Sequence, residues 1–179
     1  MGAAVIMQQQ SVTQVLEYWG GGFWSLLTFS MQMLLVLVSG HMLASTVIMK
    51  KALNTIARLA ASPGKAIVLV TLVSMLASWL NWGFGLVVGA LFAKAIARRA
   101  KVDYRLLVAS AYSGFVVWHG GLAGSVPLTI ATPGHFAEDL IGVVNTSDTL
   151  FSPLNMTLLA IIFVIMPVVN RAMMPPEAE

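Results

Sequence analysis

Cysteine is absent from this 179-residue chain. That excludes a disulfide framework, a thiolate metal site and a cysteine nucleophile. Charge is scarce as well: 9% of residues are Asp, Glu, Lys or Arg, against about 25% in soluble domains. So few charges cannot cover a water-facing surface, which excludes an ordinary soluble globular protein. Disorder is excluded by the same shortage, because disordered chains are polar and charge-rich. Enzyme signatures are missing too. There is no G-x-x-x-x-G-K-[ST] phosphate loop and no H-E-x-x-H, and no carboxylate lies within a clear apolar span. The chain is therefore read as neither an enzyme nor a nucleotide-driven motor, with no cofactor and no metal site. What is abundant is apolar surface: 58% hydrophobic residues and a mean hydropathy of +0.86. The class that remains is an all-α integral membrane protein whose main partner is the lipid bilayer. The net charge of +3 then marks cytoplasmic loops rather than nucleic-acid binding.

The whole chain, 1–179, reads as one transmembrane domain. Met1–Gln10 carries no Lys or Arg and too short an apolar run for a cleavable signal peptide. The first span covers 23–49 and ends at Lys50-Lys51; Asn54–Lys65 reads as a loop or interfacial helix. The stretch 66–97 is about 32 residues, or roughly 48 Å as one straight helix, too long for a bilayer core of about 30 Å. Its middle, Asn81-Trp82-Gly83-Phe84-Gly85, is poor material for a helix interior. Both flanks are basic, with Lys50, Lys51, Arg58 and Lys65 before and Arg98, Arg99, Lys101 and Arg105 after. Basic loops belong on the cytoplasmic side. The segment is therefore expected to enter and return by one side, as a re-entrant hairpin with its tip at Asn81–Gly85. The alternative is a single tilted helix kinked at the glycines. A third segment, 106–130, breaks near Trp118–Ser125. A loop rich in acids follows, with a short amphipathic helix expected over Phe136–Val144. The last span covers 150–169 and leads to a polar tail. This topology places the N-terminus outside and the C-terminus in the cytoplasm.

Two interruptions within apolar segments point to a transporter site, because broken helices free N–H and C=O groups that bind ions and anions. At the first break the candidates are Asn81, Trp82, Gly83 and Gly85. Asn81 offers both donors and an acceptor, and glycine lets the backbone approach a ligand closely. The competing explanation for Gly85-Leu86-Val87-Val88-Gly89 is a small-residue packing face. At the second break the candidates are Trp118, His119, Gly120, Gly121, Gly124, Ser125 and Thr129. Here the alternative is a kink whose glycines pack against a neighbour. His119 is a candidate for proton coupling, since free imidazole titrates near neutrality. His41, inside the first span, is either functional or a neutral group bonded to backbone, and His135 is expected in a loop.

Several motifs resemble the short-chain fatty acid transporter family. They are Tyr18-Trp19-Gly20-Gly21-Gly22-Phe23-Trp24, Phe29-Ser30-Met31-Gln32-Met33 and Asn81-Trp82-Gly83-Phe84-Gly85-Leu86-Val87-Val88-Gly89-Ala90. Further along come Gly120-Gly121-Leu122-Ala123-Gly124-Ser125-Val126-Pro127-Leu128, Ala131-Thr132-Pro133-Gly134 and Asp148-Thr149-Leu150-Phe151-Ser152. The resemblance runs from about Val15 to Pro175. It implies an inner-membrane, multi-pass secondary carrier that takes up short-chain monocarboxylates such as acetoacetate or butyrate. It also implies one repeat of an inverted-repeat ion-transporter-like fold, with about three transmembrane helices and a re-entrant hairpin. Coupling to H⁺ or Na⁺ is left unassigned. The family is more than twice as long, so the chain is expected to be its N-terminal half without the first span. The other half would come from a separate half-transporter or from a homo-oligomer. The rival reading is a non-transporting scaffold or regulatory subunit, or a truncated remnant, whose glycines serve packing.

Overall fold

The computed structural model describes residues 11–175. The expectations for Met1–Gln10 and for the tail beyond Pro175 lie outside the described residues. Every regular element among the described residues is helical. They are α1 (Val12–Ala44), α2 (Val47–Ala57), α3 (Pro63–Leu80), α4 (Trp82–Ala97), α5 (Tyr104–Ser113), a 3₁₀ segment (Gly114–Gly120), α6 (Ser125–Ile130), α7 (Glu138–Ile141) and α8 (Pro153–Ala172). By length and composition, Pro63–Leu80, Tyr104–Ile130 and Pro153–Ala172 are each long and apolar enough to cross a membrane. The chain divides after Val38 into two compact units. The described part of the first is helix, with Trp19 and Phe23 stacked one turn apart at 5.8 Å.

In the second unit, α1 ends at Ala44, and the chain turns by 65° between Met33–Ala44 and Val47–Ala57. The cause is local. The Thr46 hydroxyl donates to Leu43 O at 2.9 Å and accepts from Met49 N at 3.2 Å, so it closes one helix and caps the next. Lys50 and Lys51 therefore lie inside α2 rather than after a continuous span.

Capping residues account for the other helix starts. The Ser62 hydroxyl accepts from Lys65 N ahead of Pro63. The Asp103 carboxylate accepts from Arg105 N and Leu106 N, and the Ser152 hydroxyl accepts from Asn155 N. Each supplies an oxygen to amides that no helical carbonyl can reach.

The core forms around α3, which contacts α4, α5, the 3₁₀ segment and α8. Its buried face carries small and hydroxylated residues: Gly64, Ala66, Thr71, Ser74, Ala77 and Ser78. That face lets neighbouring backbones come close. Helix α4 folds back along α3 with Gly85 on Ser78 and Gly89 on Ser74. A Cβ at Gly85 would meet Ser78 Cα at 2.5 Å and its backbone nitrogen at 2.6 Å. Gly114 rests on Ser74 and Met75 in the same way, and the Ser74 hydroxyl donates to Ala111 O. Packing by small residues and interhelical hydrogen bonds is what holds helices together where lipid removes the hydrophobic drive.

One polar node ties α8 into this core. Asn170 Nδ2 donates to Thr71 Oγ1 at 3.0 Å and to Ser113 Oγ at 2.7 Å. Those hydroxyls send their own hydrogens to Ile67 O and Ser110 O. Both therefore present lone pairs to the amide, which fixes the side chain with its nitrogen inward. Elsewhere α8 is mostly open, with Leu154, Val164 and Val168 exposed. An apolar exterior of this kind is what a bilayer requires.

Candidate functional site at two helix breaks

The first break is one residue long. Asn81 is extended, at φ −158° and ψ 127°, and serves both as the end of α3 and as the cap of α4. Its Oδ1 accepts from Phe84 N at 3.0 Å. The acceptor of the amide is thus committed, and its donors remain. Trp82 and Gly83 follow as the first residues of α4, where helical amides lack internal partners. Asn81 and Trp82 are half-buried, whereas Gly83 and Gly85 are buried. Gly83 lies against Gly40, and Gly85 lies against Ser78. The close approach that these glycines permit is therefore helix to helix. Gly89 packs likewise, as the small-residue reading expects.

The second break begins where α5 tightens into the 3₁₀ segment, which carries Trp118, His119 and Gly120. Gly121 is extended, and its amide bonds Trp118 O. Gly124 N bonds Gly121 O, and the indole of Trp118 donates to Ala123 O at 3.2 Å, so the loop is closed on itself. Gly121 and Gly124 are buried. A Cβ at Gly121 would come within 2.8 Å of Trp79 Cα, and one at Gly124 would meet His119 O at 2.5 Å. Only a residue without a side chain fits either place. His119 is exposed and stacks on Trp118, with ring centroids 4.1 Å apart. Ser125 opens α6, and the Thr129 hydroxyl turns back to Ser125 O at 2.7 Å.

The two breaks meet. Leu122 N donates to Trp79 O at 2.7 Å, so the loop takes up a carbonyl at the end of α3. The rings of Trp82 and Trp118 lie 5.7 Å apart, and Phe115 lies 4.9 Å from Trp118. Asn81, Trp82, Trp118, His119 and Gly121 thus belong to one neighbourhood. Ser125 and Thr129 continue from it along α6, bonded to their own helix.

One residue at this place escapes a reading of the sequence. Asn155 of α8 donates through Nδ2 to Gly120 O at 3.1 Å and to Leu150 O at 2.7 Å. A Cβ at Gly120 would meet Asn155 Oδ1 at 2.7 Å. Asn155 therefore sets the position of the break in the broken helix. The available signal was a polar amide in an apolar span, which is costly unless partnered.

The model of the family described as short chain fatty acid transporter matches residues 1–179. The chain belongs to that family. Two relatives, from Escherichia coli (strain K12) and Haemophilus influenzae, both bear the curated name "Putative short-chain fatty acid transporter". The first is 45% identical over 98% of this chain and 40% of its own length. The second is 44% identical over 92% of this chain and 39% of its own length. The chain thus spans about two-fifths of the length of these relatives. No solved structure matches it. Family membership and the apolar helices together make it a multi-pass membrane protein.

Proposed function

We propose that the chain forms the N-terminal part of a secondary carrier that takes up short-chain fatty acids, such as acetoacetate or butyrate, across the cytoplasmic membrane. The observation that carries this reading is the meeting of two helix breaks through Leu122 N and Trp79 O. A pair of interruptions at membrane depth is where such carriers bind substrate. The substrate carboxylate is held by the donors that the first break leaves over: the Asn81 amide nitrogen and the N–H groups at the start of α4. Ser125, at the start of α6, contributes its hydroxyl. The positive end of α4 favours an anion there. Trp82 and Trp118 face the short alkyl tail. The pair α3–α4 acts as a re-entrant hairpin, the segments Tyr104–Ile130 and Pro153–Ala172 cross the bilayer, and access alternates around the breaks. His119, exposed beside Trp118, is the candidate for proton coupling, and Na⁺ is the other ion to test. The remaining half of the carrier comes from a separate half-transporter or from a second copy of the chain.

Uptake of radiolabelled butyrate tests this, by cells making the chain alone and by cells making it within its longer counterpart. Saturable uptake by the longer form, lost in Asn81→Ala with insertion unchanged, is expected. Loss of the cap costs about 1 kcal/mol, so insertion is checked by membrane fractionation. Undiminished uptake would remove Asn81 from the site.

A further inference from the structure

Two cations of the second unit, Lys65 and Arg171, converge on a cavity that the reading above leaves unused. It measures about 260 Å³ and is lined by Leu59, Lys65, Val68, Leu69 and Arg171. Lys65 comes from the first turn of α3, and Arg171 from the last turn of α8. The remaining lining is aliphatic. The two helices meet closely here because residue 64 is glycine. A Cβ at Gly64 would sit 3.1 Å from Arg171 Nε, so the guanidinium lies along the first turn of α3.

Both cations are exposed at the mouth of this cavity, and their charge adds to that of the helix start. A helix start carries partial positive charge and favours anions, yet this one is met by a guanidinium and a lysine. Among the described residues neither cation has an ion-pair partner. Asp103, the acid at the start of α5, has its Oδ1 committed to two amides of α5. A second cavity, of about 640 Å³, borders Ser62 and Pro63 and adds Arg99 and Lys101 beside the same helix start. Two cations beside a helix start favour an anionic ligand. It must also tolerate an apolar floor, because Val68 and Leu69 lie in the second turn of α3, a helix long and apolar enough to cross the bilayer. Charge at the end of a span, above aliphatic side chains, is the position of a lipid headgroup.

We propose that Lys65 and Arg171 hold the phosphate of an anionic phospholipid, with the start of its acyl region along Leu59, Val68 and Leu69. The lipid bridges the start of α3 to the end of α8 and neutralises the two cations. The proposal does not depend on the transport reading.

Native mass spectrometry of the purified protein tests it, titrated with phosphatidylglycerol, phosphatidylethanolamine and inorganic phosphate. Phosphatidylglycerol is expected to bind more tightly than the zwitterionic lipid. The double change Lys65→Gln/Arg171→Gln should weaken it about 30-fold, from roughly a fivefold loss per basic residue near the surface. Arg171→Gln alone should give about fivefold, which keeps the test open if the double variant folds poorly. Lys50→Gln/Lys51→Gln, on α2 and outside the cavity, should leave the affinity unchanged. Equal affinity for the two lipids would overturn the proposal, as would undiminished binding by the Lys65/Arg171 variants. Inorganic phosphate displacing phosphatidylglycerol at matching concentrations would also overturn it, in favour of a soluble phosphate ligand.

Discussion

Asn155 gives the sharpest test of how the second break is held. Its amide nitrogen donates to Gly120 O and to Leu150 O. Asn155→Asp keeps the shape and removes both donors. Each hydrogen bond contributes about 1 kcal/mol net, so their loss costs roughly 2 kcal/mol. A carboxylate facing two carbonyl oxygens adds repulsion, which brings the total to about 3 kcal/mol. The cost falls on the opening of the 3₁₀ segment away from α3 and α8. Val117 reports that opening, because it is 1% exposed and packs with Met75 and Leu159. The chain has no cysteine, so Val117→Cys supplies a single thiol. Its labelling by a small maleimide, in the regime where reclosing outpaces reaction, follows the open population. At 1.4 kcal/mol per factor of ten, the combination with Asn155→Asp should label about 100- to 200-fold faster than Val117→Cys alone. Asn155→Leu removes the same donors without the charge and should fall between them. A rise of less than about threefold for Asn155→Asp would refute the claim that this amide holds the break.

The other predictions concern packing. Gly85→Ala should destabilise by about 1–3 kcal/mol or more, and Ser78→Gly should not rescue it, because the clash involves Ser78 backbone atoms. Gly89→Ala should cost less, since its nearest neighbour is the Ser74 hydroxyl and the next is Ala111 O at 3.3 Å; denaturant midpoints in detergent compare the two. Gly20→Ala and Gly21→Ala meet nothing within 4 Å and should raise helicity by circular dichroism, at about 1 kcal/mol per residue. Asn170→Asp should destabilise more than Asn170→Leu, by several kcal/mol at neutral pH. The carboxylate is 6% exposed at that position and forces both hydroxyls to turn away from Ile67 and Ser110. Equal midpoints for these two variants would mean that the amide does not face two lone pairs.

The all-helical membrane class was legible from composition alone, and the point where α3 gives way to α4 from residue types. Asn81 can cap a helix and tolerates extended backbone, and the chain on either side is too long for one span. The bend at Ser45-Thr46 was not legible. A threonine within an apolar run ordinarily bonds back to its own helix, and the sequence holds no sign that Thr46 does this while capping the next one. The candidate site was legible as two sets of residues but not as one place. Trp79 and Leu122 lie far apart along the chain, and the bond that joins them uses backbone atoms, which every residue has. For the same reason the glycines were open to two readings. A sequence marks where the backbone can be approached, and the approaching group comes from elsewhere in the fold. At Gly83 and Gly85 that group is another helix. At Asn81 one side of the amide is spent on Phe84. At the first break the Asn81 amide nitrogen and the first amides of α4 are donors left over beside the rings of Trp82 and Trp118, and the proposed carboxylate site rests on these.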